Sequence, residues 1–174
     1  IDTTIKFKGH DVRLVDTAGI RRRGKYQGSI EYYMVLRATK AMRRAHCAVV
    51  VLDGGEGLTD GDKRVAKAAH DQGKPTVLAI NKWDTKEPPR GELGKDSLIK
   101  KDFRRIIRDH LPEIAYAPVR FCSALEKTGY EGVMNACFSS IESWRTRVPT
   151  GPLHRLVQDA LDEMLLLSLP EQKF

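Results

Sequence analysis

The order of elements along this chain predicts an α/β fold, a mostly parallel sheet with helices on both faces. Two antiparallel strands come first, and helices and strands then alternate. The later strands are short runs of apolar, often β-branched residues at 47–53 and 76–81, as a strand covered on both sides requires. Between them, apolar residues recur at helical spacing.

Residues 4–7 and 12–15 read as the strands of a hairpin turned by Lys8-Gly9-His10-Asp11. A loop rich in glycine and arginine follows. In 29–45, Ile30, Tyr33, Met34, Ala38, Ala41 and Ala45 share one helical face. Residues 59–72 form a helix with Val65, Ala66 and Ala69 inward and Gly73 as its stop. The stretch 86–96, with Pro88-Pro89 and two glycines, is a loop. A basic helix ending near His110, a strand at 118–122 and a helix over 130–146 complete the pattern. In such sheets ligands bind beyond the carboxyl ends of the strands.

Bulk composition narrows the class. The 174 residues hold 30 Lys+Arg against 23 Asp+Glu, a formal charge of +7. That surplus suits a polyanionic partner such as RNA, and it also aids solubility. Cys47, Cys122 and Cys137 form no C-x-x-C pair and lie in apolar segments. They read as reduced thiols of a bacterial cytoplasm or an organelle matrix, not as a secreted disulfide framework. No apolar run approaches the roughly 18 residues of a membrane span, so no membrane partner is expected.

Three motifs sit where strands end. Asn81-Lys82-Trp83-Asp84 follows the buried run 76–80 directly. A carboxylate at Asp84, held in the plane of guanine, accepts from N1–H and the exocyclic amino group together, a two-pronged contact that adenine cannot return. Asn81 can tie loops together or donate near the base O6, and the Lys82 stem can cover one face of the ring. Asp16-Thr17-Ala18-Gly19 ends the strand at 12–15. There Asp16 can hold a water on Mg²⁺, and the Gly19 amide can point at a γ-phosphate because no Cβ blocks the approach. Ser123-Ala124-Leu125 follows the last strand, where its backbone amides can reach the guanine O6. Any of these alone is a turn. In this order and placement they match a P-loop NTPase (Ras-like) G domain, which predicts GTP/GDP and Mg²⁺ as cofactors.

The phosphate loop itself is missing from these residues. The run from Gly19 to Tyr26 nearly fits G-x-x-x-x-G-K-[ST], but Tyr26 stands where Mg²⁺ needs a hydroxyl, and three arginines crowd the loop. We read it as a switch segment instead. In the superfamily fold the strand before the phosphate loop lies between the strands at 12–15 and 47–53. The expectation is therefore a G domain lacking its first strand and phosphate loop, its sheet split, as part of a longer protein.

The run Asp16-Thr17-Ala18-Gly19-Ile20-Arg21-Arg22-Arg23-Gly24-Lys25 resembles the second G domain of the Der (EngA) family of ribosome-assembly GTPases. Similar stretches are Arg37-Ala38-Thr39-Lys40-Ala41, Glu56-Gly57-Leu58-Thr59, Asp62-Lys63-Arg64, Asn81-Lys82-Trp83-Asp84, Tyr116-Ala117-Pro118 and Ser123-Ala124. The resemblance implies a partial G domain over 1–147, and a linker with the first helix of a KH-like domain over 148–174. It implies GTP hydrolysis during assembly of the large ribosomal subunit, with the subunit precursor, its rRNA and other assembly factors as partners. Ile20 stands where many relatives carry a water-orienting glutamine, so hydrolysis should be slow and no catalytic base is assigned.

Arg21, Arg22, Arg23, Lys25, Arg37 and Lys40 are the candidate RNA contacts, with Arg43 and Arg44 beside them. Lys101, Arg104, Arg105 and Arg108 form a second basic face. Contacts of this kind meet phosphate backbones and are salt-sensitive. Trp83 is read as a shield for its loop. Two competing readings are a non-catalytic rRNA-binding assembly factor that retains the fold, and a tRNA-modification GTPase of the Era-like group.

Overall fold

The computed structural model describes residues 2–15, 29–86 and 93–168; within these, the side chains of 29–35, 37, 93–97 and 165–168 are outside the description. A hairpin opens the chain, β1 (Asp2–Phe7) and β2 (His10–Val15). Its turn is tighter than the four residues expected. Lys8 (φ 48°) and Gly9 (φ 81°) both take left-handed conformations, and Phe7 pairs with His10. This is the two-residue turn whose twist matches paired strands.

Next come α1 (Ser29–Arg44), β3 (Ala48–Asp53), α2 (Asp60–Asp71) and β4 (Thr76–Asn81). After α3 (Leu93–His110), β5 (Val119–Phe121) and α4 (Tyr130–Arg145) close the first compact unit, residues 1–144. Thr59 caps α2: its hydroxyl accepts from Asp62 N, and Asp62 Oδ2 accepts from Thr59 N at 2.9 Å. Such a reciprocal cap satisfies two otherwise orphaned amides.

The strands β3, β4 and β5 form a parallel sheet in sequence order. Alternation along each strand sends Val50, Leu52, Leu78 and Ile80 into a core with Met42, Ala66, Ala69, Ile107 and Ile114. On the opposite face Val77 packs with Ala136, Cys137, Val133 and Cys47. The hairpin leans on that same helix: Phe7 stacks on Phe138 at 6.0 Å, and Lys8 Nζ donates to Asn135 Oδ1 at 2.8 Å.

One expectation for the strands needs correcting. β4 is buried from Thr76 to Ile80, but β3 is covered on one face only, with Val49 42% and Val51 58% exposed. Among the described residues β3 pairs with β4 alone, and the hairpin is a separate two-stranded sheet. The split foreseen between the two sets of strands is present among the described residues.

Residues 145–174 form a second compact unit, which contains α5 (Thr150–Ser168). Leu153, Leu156, Val157, Leu161 and Met164 are all exposed along it. Among the described residues no helix is long and apolar enough to cross a membrane.

Candidate nucleotide-binding site

The carboxyl ends of β3, β4 and β5 lie side by side, since Asp53 is in register with Asn81 and Ile80 with Phe121. Three loops therefore converge on one rim. The first follows Asp53, the second is Asn81–Thr85, and the third starts at Cys122.

The second loop is bent at Lys82, a non-glycine residue at φ 59°, ψ 33°. That left-handed step costs about 1 kcal/mol, so the surroundings must hold it. Trp83 does so. It is 3% exposed, its ring lies 4.2 Å from that of Phe121 and edge-on to Phe103, and its backbone N–H donates to Cys122 O at 3.1 Å. Thr85 Oγ1 donates to Lys82 O at 2.7 Å and closes the turn. Trp83 is thus an anchor in the core, not the shield that its position in the motif suggested; an aromatic between polar residues reads the same way in either role.

Asp84 Oδ1 is inaccessible to solvent and has no hydrogen-bond partner, the one such side-chain atom among the described residues. Leaving a carboxylate oxygen desolvated and unpaired costs more than leaving most groups so. A guanine edge carries donors of the kind this oxygen lacks.

Asn81 ties the second loop to the third: its Oδ1 accepts from Ala124 N at 2.9 Å. The loop-tying role foreseen for Asn81 is what the geometry gives. It also changes the expectation for the Ser123-Ala124-Leu125 loop, because the Ala124 amide is already engaged inside the protein. Ser123 is buried and builds the loop. It exchanges both backbone hydrogen bonds with Thr128 at 3.0 Å, and its Oγ accepts from Glu126 N at 3.0 Å. Leu125 is 79% exposed at the tip.

Lys82 reaches into the first loop, where its Nζ lies 2.8 Å from Asp53 Oδ2. Asp53 is 7% exposed, and its other oxygen accepts from the amides of Gly55 at 2.8 Å and Glu56 at 3.3 Å. The Lys82 ammonium, with those two amides, holds the Asp53 carboxyl below the usual carboxylate range against the opposing pull of burial. Sequence reasoning missed Asp53. The available signal was an aspartate ending an otherwise wholly apolar strand.

Asp16, Gly19, Arg21, Arg22, Arg23 and Lys25 lie outside the described residues, as does the side chain of Arg37. Lys40 is exposed on α1. Its neighbour Arg43 is spent on a bond to Gln72 Oε1 at 3.3 Å. The basic face of α3 is partly used within the fold: Arg104 lies 4.9 Å over the Phe121 ring, and Arg105 pairs with Asp102 at 3.3 Å.

The fold is that of a P-loop GTPase G domain. Era, solved in complex with MgGDPNP and nucleotides 1506–1542 of 16S ribosomal RNA, superposes with a TM-score of 0.58 at 18% identity, over 85% of this chain and 45% of that one. A probable GTP-binding protein engB superposes with a TM-score of 0.56 at 16% identity, over 82% of this chain and 84% of that one. A family profile described as "50S ribosome-binding GTPase" matches residues 1–82. Curated relatives include GTPase Der of Staphylococcus carnosus (strain TM300), 40% identical over 161 residues, and GTPase Der of Fusobacterium nucleatum, 38% identical over 161 residues. In both cases 92% of this chain is covered and 35% of the relative, so the chain spans about a third of the length of these proteins. Over 92% of its own length the chain is therefore similar to the Der GTPases, and the match is consistent with a G domain of that family.

Proposed function

We propose that the full-length protein binds GTP and GDP at this rim and hydrolyses GTP as a slow molecular switch in assembly of the large ribosomal subunit. The observation that carries the nucleotide reading is the buried, unpartnered Asp84 Oδ1. Beside it stand Asn81, which fixes the third loop, and Lys82, whose stem lines the same rim. Ser123, Ala124 and Leu125 close the base end. Asp16 and Gly19 serve the phosphate end, where Mg²⁺ would neutralise charge on the phosphates.

The ribosomal part rests on the family: the relatives are named GTPase Der, and the matching profile is described as ribosome-binding. The RNA contacts are assigned to Arg21, Arg22, Arg23, Lys25, Arg37 and Lys40. Residues 1–147 belong to the G domain, with α5 the opening helix of a KH-like domain whose remaining elements cover Leu156 and Met164. The protein works in a bacterial cytoplasm or an organelle matrix.

The test is the base preference of an Asp84→Asn variant of the full-length protein. Xanthine carries a carbonyl where guanine has its amino group, so the new amide should favour XTP over GTP. An unchanged preference for GTP would remove Asp84 from the base contact. A wild-type protein that binds no guanine nucleotide would instead be an assembly factor without nucleotide chemistry.

A further inference from the structure

Lys82 inverts the usual habit of lysine. Long cationic side chains normally lay their methylenes along the protein and put the charged head in water. Here the head is paired at 2.8 Å with Asp53, a carboxylate that is only 7% exposed, while 60% of the Lys82 side-chain surface remains exposed. The Lys82 side chain is thus exposed yet pinned at both ends, with its methylenes stretched between them. The left-handed backbone at φ 59° fixes one end and the 2.8 Å ion pair fixes the other. Asp53 is itself held by the Gly55 and Glu56 amides. Gly54 N donates to Asn81 O at 2.8 Å, and a Cβ on Gly54 would meet that oxygen at 3.0 Å. The loop after β3 is thus pressed directly against the base motif.

We infer that Asp53 is a positioning residue for nucleotide binding, which stretches the Lys82 side chain into a fixed apolar wall against one face of the purine ring. This rests on the guanine reading of the rim and adds to it a residue from a different strand. Asp84 selects the base edge, whereas Asp53, acting through Lys82, sets how tightly the ring face is held. A free lysine would have to surrender its rotamer freedom on each binding event; one already tied to a buried carboxylate does not.

The experiment is a double-mutant cycle in the full-length protein, read by displacement of a fluorescent GDP analogue. Asp53→Asn should weaken GDP binding about tenfold, mainly through faster release, and leave the preference for guanine over adenine intact. Lys82→Met keeps an apolar side chain but has no head to anchor, and should weaken binding by a similar factor. Combining the two should add nothing further. Asp53→Asn binding GDP as tightly as wild type, or losses that multiply in the double variant, would overturn the proposal. If Asp53→Asn fails to fold, Lys82→Met alone decides: unchanged GDP affinity rejects the anchored wall. The Asp84→Asn variant separates the two levels. If it accepts xanthine while Asp53→Asn binds GDP normally, only the positioning role falls; if it keeps its preference for guanine, both readings fall.

Discussion

The side-chain oxygen of Asn81 and the backbone amide of Ala124, 43 residues apart in sequence, meet in a 2.9 Å hydrogen bond that locks the loop after β4 to the loop after β5. Asn81 ends a strand buried from Thr76 to Ile80, so its own position is set by the core. Ala124 lies in an exposed turn and takes its position from this bond and from the Ser123–Thr128 bridge. Replacing Asn81 by alanine removes the acceptor and leaves the amide to water. We expect a loss of about 1 kcal/mol in stability, because the site is only partly buried. Release of GDP should accelerate by a larger factor than that loss explains, since the third loop is no longer held. Unfolding curves alongside GDP dissociation rates check this; unchanged release would mean that the loop is held without Asn81.

Asp84 sets stability against function. Its Oδ1 is buried and unpartnered among the described residues, which is a cost carried by the nucleotide-free protein. Asp84→Asn removes the charge from that position. The nucleotide-free variant should be more stable than wild type by roughly 1 kcal/mol, visible as a higher urea midpoint with an unchanged slope. Excess GDP should reverse the order, because only wild type gains binding energy from it. A nucleotide-free variant less stable than wild type would mean that Asp84 is satisfied within the protein.

Much of this site was legible in the sequence because its signals are local. The base motif is four adjacent residues at the end of an apolar run, and the strand alone fixes where it emerges. Asp53 was not legible in that way, because its partners Lys82, Gly55 and Glu56 are brought to it by strand register and a turn. The one-sided burial of β3 escaped for a similar reason. An unbroken apolar run predicts cover on both faces, yet Val49 and Val51 stand exposed, since cover depends on which elements lie beside the strand. Helical spacing placed Lys101, Arg104, Arg105 and Arg108 on one face. It said nothing of the Phe121 ring beneath Arg104, which a strand packed against α3 contributes.

Gly129 is the residue on which the third loop closes. It sits at φ 76°, and a Cβ there would collide with Phe121 O and come within 2.8 Å of Cys122 Cα, both backbone atoms that cannot swing aside. Gly129→Ala therefore combines a left-handed penalty with a backbone collision. It should cost about 3 kcal/mol or displace the loop and with it GDP affinity. Gly73 is the internal control. It has φ 60° but open space around its Cβ position, so Gly73→Ala should cost only about 1 kcal/mol and leave GDP binding alone. Equal effects at the two positions would show that the collision is relieved by movement.

The ion pair between Asp53 and Lys82 carries a defined pH signature. The Lys82 ammonium, and after it the Gly55 and Glu56 amides, lower the Asp53 carboxyl below its ordinary value, while burial opposes them. A carboxyl whose folded value is depressed binds its proton more readily in the unfolded chain, so folding is favoured wherever the group is ionised in both states. The stabilisation from Asp53 is therefore complete above the ordinary aspartate value of about 3.9 and disappears as pH falls through the lower folded value. The stability gap between wild type and Asp53→Asn should accordingly stay level from about pH 8 to about pH 5 and shrink only below about pH 4. Lys82→Met should shrink the gap at every pH in that range, because it removes the largest of the lowering contacts. Chemical denaturation of wild type, Asp53→Asn, Lys82→Met and the double variant across this range measures both effects. A gap that widens on acidification would mean that Asp53 is protonated in the fold at neutral pH and that the ion pair does not hold the Lys82 head.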